Sequence, residues 1–450
     1  MKDLISVRNI AMFSIPSFIG VMFFMFPIEY LGETSIPVAV VAKILQKFAA
    51  SFIIEMVCGI IFISTLLSIV CSVFRPASIH PSSFFGSLFY VTPVWLIIRC
   101  LGAAFAALVY LQLGSEMIWS KNTGGLLLHD LMPILFSVFI FAGLLLPLLL
   151  NFGLLEFIGT LFSKVMRPLF NLPGRSAIDC TTSWLGDGTV GVLLTSKQYE
   201  QKIYTQREAA VVGTTFSAVS ITFSLIVIAE VGLVHMFVPF YAAVCLAGFV
   251  AALIVPRLPP LSLKKQLYID GTQPDPDAHK IPDDENIFSH GFKLALQRSA
   301  EIKSLSNVLV HGIQNALEML FVVIPVVMGI GTIALVCAEY TPVFDYLGMP
   351  FVPYLELLQV PEAAIAAKSV VIGFADMFLP AILIAGVESE FTRFVVAALS
   401  ITQLIYLSEV GAMLLGTKIP VNILDLFVIF ILRTIVTLPV IVAVAHFVYP

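Results

Sequence analysis

Long apolar runs recur along the chain, each near the twenty or so residues that a membrane-spanning helix needs. The pattern predicts nine full spans, at about 9–29, 50–74, 92–114, 129–150, 207–229, 236–256, 314–338, 391–415 and 422–446. The runs do not alternate apolar and polar in short pieces, as the strands of a membrane barrel do. Two further segments, 175–198 and 361–386, are apolar but interrupted. The first carries Gly186-Asp187-Gly188 and the second Gly373-Phe374-Ala375-Asp376. Glycine beside a carboxylate at mid-length suits the tip of a re-entrant helical hairpin better than a straight helix. The sizeable polar stretch is 258–305. Its part Gln273-Pro274-Asp275-Pro276-Asp277 reads as a flexible linker. The spacing of Phe288, Phe292, Leu296 and Ala300 then predicts an amphipathic helix on the inner leaflet.

Basic residues orient these elements, because cytoplasmic loops are enriched in Lys and Arg. Lys164, Arg167 and Arg175 in 151–175, Lys197, Lys202 and Arg207 in 197–207, and the Lys and Arg of 257–305 place all three connections inside. The loop 339–360 holds Glu339, Asp345 and Glu356 without a basic residue and goes outside. Nine spans with two hairpins satisfy every assignment, with a cytoplasmic N-terminus and an external C-terminus. Treating either hairpin as a full span breaks the agreement. Lys2 and Arg8 precede the first run as in a signal peptide, but no small-x-small cleavage site follows, so that run is read as a retained helix.

Composition narrows the class further. Of 450 residues, 59% are hydrophobic and 12% charged, against about 25% charged in an ordinary soluble domain. Such a chain is neither a soluble enzyme nor disordered. The net charge of −5 provides no basic field for nucleic acid. The six cysteines have no CxxC spacing and read as small buried hydrophobes. No metal or cofactor is expected.

An internal repeat is visible. Ile221 to Gly232 parallels Ile401 to Gly411, and both stretches end in Glu-Val-Gly. Leu155-Glu156-Phe157-Ile158-Gly159 matches Phe344-Asp345-Tyr346-Leu347-Gly348, Pro173 matches Pro361, and Gly186-Asp187 matches Ala375-Asp376. Each unit has the order span, connector, hairpin, span. The charge count puts the two hairpins on opposite sides, so the repeats have inverted topology, a construction of secondary transporters. The expected fold is therefore an all-α polytopic membrane protein of about nine transmembrane helices plus two re-entrant hairpins in two inverted repeats. A three-helix scaffold occupies 1–128. The first repeat and the span after it take 129–256, and a cytoplasmic linker with the amphipathic helix takes 257–310. The second repeat takes 311–415 and the last span 416–450.

The residues Pro173-Gly174-Arg175 leading to Gly186-Asp187-Gly188, then Arg207-Glu208 leading to the Ser/Thr-rich span ending in Glu230-Val231-Gly232, with the second copy, resemble the Gate-domain, or nucleoside-recognition, membrane proteins. The likeness is greatest to their YjiH-like branch and covers about 129–415. That family is similar to concentrative nucleoside transporters and to the membrane part of ferrous-iron transport proteins. The resemblance implies paired hairpins that grip a polar solute in an elevator-like or rocking machine, and a homo-oligomer assembled on scaffold helices. The chain departs from it in lacking a Gly-x-x-x-x-Gly-Lys-Ser/Thr loop, so nucleotide hydrolysis is not implied. It also lacks a complete nucleoside-binding signature, which leaves the substrate class open.

A carboxylate inside a span costs a few kcal/mol and needs a reason. Asp187 and Asp376 sit at the two expected tips, where helix ends and a carboxylate can hold Na⁺, H⁺ or a cationic group; each can equally cap the following half-helix. Glu230 and Glu409 close the repeat spans before Val-Gly. Thr182, Ser183, Ser220, Thr222, Thr402 and Gln403 offer hydroxyls and an amide to a neutral solute, or serve as helix–helix glue. Lys368 stands eight residues before Asp376, two turns along one helical face. Arg433, mid-way along the last span, is expected to pair with a carboxylate.

These groups favour a secondary active transporter of a small polar solute, nucleoside-like or amino-acid- or peptide-like, coupled to Na⁺ or H⁺ in the bacterial cytoplasmic membrane. The alternative is a non-transporting membrane assembly protein, which predicts a repeat interface filled by apolar side chains. An intramembrane enzyme is not expected. No His-Glu-x-x-His is present, and Trp184-Leu185-Gly186-Asp187 lacks the first glycine of a Gly-x-Gly-Asp motif.

Overall fold

The computed structural model describes residues 6–26, 28–30, 33–76, 79–80, 83–185, 188–216, 221–274, 286–302 and 304–449. These are helical throughout, apart from connections and a small antiparallel ribbon, Ile28–Tyr30 with Glu33–Ser35. Among the described residues, seven stretches of helix are long and apolar enough to cross a membrane: Val7–Phe24, Ile53–Phe74, Pro93–Leu111, Leu126–Leu150, Val234–Arg257, Leu305–Tyr340 and Ile423–Val448. The chain is thus a multi-pass membrane protein. Leu126–Leu150 and Leu305–Tyr340 are the most enclosed of these, as expected of helices apolar on every side that form the centre of a bundle.

Small residues set how closely the spans approach. A side chain at Gly102 would stand 2.2 Å from the Pro325 carbonyl, and one at Gly329 would stand 2.6 Å from that of Ile98. The Pro93–Leu111 and Ile324–Tyr340 helices therefore cross nearly backbone to backbone. Gly143 likewise meets the backbone of Ala316. Without a hydrophobic drive between helices in lipid, such close contact is a main source of association.

Two of the predicted spans depart from continuous helices. The segment predicted at 207–229 is described in two pieces. Gln206–Val211 runs into a wide π turn at Val212–Phe216, and Ile221–Glu230 follows. The segment predicted at 391–415 is broken outright. Glu390–Gln403 stops at Leu404, whose φ of +62° is left-handed, and helix resumes at Val410–Gly416. Apolar composition alone cannot separate a crossing helix from a crossing pair of half-helices, so the periodicity reads 391–415 as a simple span.

The interrupted segments are helix pairs. Ser176–Leu185 packs against Gly188–Glu200, with Ser183 facing Gly191 and Asp179 facing Thr195. Ala363–Ile372 packs against Leu379–Ile384. An amphipathic helix, Leu154–Phe170, leads into the first pair. It starts after Gly153, where φ is +97° and any side chain would strike the Ala295 backbone at 2.4 Å. Gly174 then turns the chain back against the Gly159 carbonyl, 2.0 Å from where a Cβ would lie. The expected amphipathic helix is present as Ile287–Ala300. Its apolar stripe is engaged by protein: Phe288 stacks edge-on against Phe157, and Phe292 against Phe13 of the first span.

Candidate functional site

The break at Leu404–Glu409 lies against the turn of the second helix pair. The Leu407 and Ser408 amides donate to the Phe374 and Ala375 carbonyls at 2.8 and 2.9 Å. Asp376 accepts the Phe378 and Leu379 amides on Oδ1, at 2.8 and 3.3 Å, and so caps Leu379–Ile384. Its other oxygen accepts the Ser408 hydroxyl at 2.6 Å. One carboxylate thus caps a half-helix and ties the turn to the break. Gln403, the last residue before the break, donates from Nε2 to the Val370 carbonyl and the Thr434 hydroxyl, both at 2.8 Å. Its Oε1 is buried and accepts no hydrogen bond among the described residues. That oxygen points at Gly373, where a Cβ would stand 2.3 Å away.

Arg433 joins this arrangement to the first repeat. It is buried, and among the described residues its partners are backbone carbonyls. Nε and Nη2 donate to Thr402 at 3.0 and 2.6 Å, and Nη1 donates to Thr215 at 3.0 Å. The expectation of a carboxylate partner is corrected here. Thr402 ends the helix before the break and Thr215 lies in the π turn, where the regular helical bonding pattern is interrupted. A carbonyl without a donor at membrane depth is costly. The planar guanidinium, with five donors, reaches carbonyls on both sides at once.

The remaining predicted residues fall in several places. Thr402 bonds its own hydroxyl back to Leu399 at 2.9 Å. Thr182 and Ser183 are buried on the first helix pair, and the Thr182 hydroxyl has no partner among the described residues. Glu409 accepts the Tyr406 hydroxyl at 3.1 Å and starts the Val410–Gly416 helix. Glu230 is exposed at the end of Ile221–Glu230. The shared Glu-Val-Gly therefore occupies two different local structures. Lys368 pairs with Asp345 at 2.9 Å, with both side chains nearly half exposed, and so turns toward the connector. Asp187 and Ser220 lie outside the described residues, and of Thr222 only the backbone is described.

Two clusters escape the sequence reading. Asp179 is fully buried and accepts from Gln198 at 2.6 Å and from Thr195 and Tyr204 at 3.0 Å. It locks the two helices of the first pair together. Lys197 is wedged between Glu318 and Glu200, and Lys418 lies 3.5 Å from Glu200 and 3.8 Å from Glu318. These four charges line a cavity of about 180 Å³ together with Arg99, Ser196 and Thr417. The spacing of Lys197 and Glu200 was readable as one helical face, but their meeting with Glu318 and Lys418 depends on tertiary packing.

A family model described as Gate, nucleoside recognition, matches residues 132–234. The chain carries a Gate domain. The match spans Met132–Leu150, the connector, the first helix pair and the segment after it as far as 234. Over 445 residues the chain is also 48% identical to an uncharacterized protein of Alkalihalophilus pseudofirmus, covering 99% of this chain and 96% of that one, so the two belong to one family. No solved structure matches the chain. The second unit, with its break against Asp376, lies outside the matched Gate residues.

Proposed function

We propose that this Gate protein is a secondary active transporter of a small polar solute, nucleoside-like or amino-acid- or peptide-like. In this reading two inverted repeats alternate access across the bacterial cytoplasmic membrane, coupled to Na⁺ or H⁺. The observation that carries it is Arg433 joining the π turn at Val212–Phe216 to the break at Leu404–Glu409, with the Asp376 turn seated on that break. Irregular backbone inside a membrane is tolerated where it serves a buried site, and discontinuous helices form the solute sites of secondary transporters. Gln403 Oε1 and the Thr182 hydroxyl are buried polar atoms without partners that a solute's hydrogen-bonding groups would satisfy. Inversion is supported by where the helix pairs are anchored. Lys197 of the first meets Glu318 in the first half of the Leu305–Tyr340 helix, and Lys368 of the second meets Asp345 beyond its far end. Anchors at two positions along one helix fit pairs that enter from opposite ends, the arrangement the basic-residue count leads us to propose. That count also places the N-terminus in the cytoplasm and the C-terminus outside.

The test is counterflow in proteoliposomes with nucleosides, nucleobases, amino acids and dipeptides, preceded by a thermal-shift screen of each with Na⁺ or K⁺ at two pH values. A ligand of the native state raises the melting temperature by mass action. One class should both stabilise the protein and exchange across the bilayer, and Asp376→Asn or Asp187→Asn should abolish the ion dependence. Folded protein that neither binds nor exchanges any class would instead fit the non-transporting assembly protein.

A further inference from the structure

We propose that the protein has a built site for one anionic phospholipid, whose headgroup lies apart from the solute site and whose chain reaches toward it. Its phosphate would sit in an arginine basin and one acyl chain in an adjoining groove. The basin, about 490 Å³, is lined by Arg167, Arg175 and Arg207 with Asn171, Thr205 and Gln266. Its carboxylate, Glu208, is already engaged by the Thr205 amide and hydroxyl at 2.8 and 2.9 Å. Arg167 and Arg175 make no side-chain hydrogen bond or ion pair among the described residues. Arg207 reaches only the Pro256 carbonyl among them, at 3.4 Å. Three guanidinium groups facing one carboxylate, whose Oε2 already holds the Thr205 amide and hydroxyl, leave an excess of donors for a phosphate, which accepts the paired N–H donors of Arg in bidentate fashion.

The groove identifies the source of the phosphate. It is about 290 Å³ and runs between Phe162, Val165, Met166 and Phe170 on one wall and the Val234–Arg257 span on the other. Met166 and Phe170 stand beside Arg167 and Asn171 on the last turn of one helix, so groove and basin meet at that turn. Phe162, Val165 and Phe249 along the groove are more than 40% exposed, which leaves its side open to lipid. Its inner end is at Arg433. Asp425, paired with Lys264 near the basin, marks the outer level. Arg433 is eight residues further along the last helix, about 12 Å at 1.5 Å per residue. That approaches half of the ~30 Å hydrocarbon core, the reach of one leaflet's chain. Basic pockets between helices on the cytoplasmic side are known receptors for anionic headgroups. A soluble phosphate would leave the groove unfilled, so the occupant is a lipid of the inner leaflet.

The test uses the full chain, delipidated in detergent. Native mass spectrometry and melting temperature are followed with phosphatidylglycerol, phosphatidylethanolamine and glycerol 3-phosphate. Phosphatidylglycerol should bind one per chain and raise the melting temperature, whereas the zwitterionic lipid and the soluble phosphate should not. Arg167→Gln, at an exposed side chain without a described partner, should weaken binding about tenfold, as loss of one charge-assisted contact does. Arg167→Gln with Arg175→Gln should abolish it. Gly248→Leu, which places a side chain in the groove, should also weaken binding while the basin stays intact. Equal binding of phosphatidylethanolamine, full binding by the arginine variants, or an equal shift from glycerol 3-phosphate alone would each overturn the assignment. A failure to transport any solute would not bear on it.

Discussion

Arg433→Lys isolates what the guanidinium does, because it keeps a buried charge and changes only its geometry. In the native protein separate nitrogens hold Thr402 at 2.6 Å and Thr215 at 3.0 Å. A single ammonium on a flexible stem reaches the carbonyl of one interrupted helix and abandons the other. Each buried carbonyl left without a donor costs about 1–3 kcal/mol, and the desolvation of the charge is not relieved. Against a native stability of ~5–15 kcal/mol this is measurable. Arg433→Met loses both carbonyl contacts but also sheds a buried charge, worth several kcal/mol, so the two effects offset. The expected order of melting temperature, by scanning fluorimetry in one detergent, is wild type above Met, with Lys no higher than Met. Counterflow should fall in both variants, because neither holds the π turn and the break together. Arg99→Lys is the control. Arg99 is equally buried, and its Nη1 donates to the Ser68 hydroxyl at 2.6 Å and the Leu88 carbonyl at 3.0 Å, away from the breaks. It should lose stability but keep its flux per folded molecule. An Arg433→Lys protein that melts and transports like wild type would refute the bridging role, as would equal loss of flux in Arg99→Lys.

Asp376→Asn retains an oxygen to cap Leu379–Ile384, so melting should change by less than ~1 kcal/mol of stability; ion-dependent binding should disappear, and retention of it in a ligand titration would remove Asp376 from coupling. Gly102→Leu drives a side chain into the Pro325 carbonyl, and overpacking of this kind costs at least about 1–3 kcal/mol; lower melting and folded yield are expected, and a neutral result would mean that the helices are further apart than described. Glu318→Gln should destabilise by leaving Lys197 and Lys418 to share Glu200, and adding Lys418→Gln should recover part of the loss; a double-mutant cycle that sums without coupling would show that the four charges act independently.

The parts of the fold set by solvent were legible in the sequence. Runs of apolar residues locate the seven long helices because the bilayer demands about twenty such residues. The spacing of Phe288, Phe292 and Leu296 located the Ile287–Ala300 helix, although not the Phe13 and Phe157 rings that Phe292 and Phe288 meet. The site was less legible, because its geometry is made by backbone. Leu404 adopts a left-handed φ with no glycine or proline to announce it, and the π turn at Val212–Phe216 has an ordinary apolar sequence. The partners of Arg433 are carbonyls, which every residue has, so no pattern of residue types could single them out. Lys368 shows the converse error. Its spacing from Asp376 fits one helical face, but Ala363–Ile372 ends before Asp376 is reached, and the periodicity argument ends with the helix. A charge predicted inside a span is therefore best tested against interrupted backbone nearby before a carboxylate is sought. Among the described residues Arg433 meets only carbonyls and Arg99 a hydroxyl and a carbonyl, and in both a buried guanidinium satisfies neutral acceptors that the low-dielectric interior would otherwise leave unpaired.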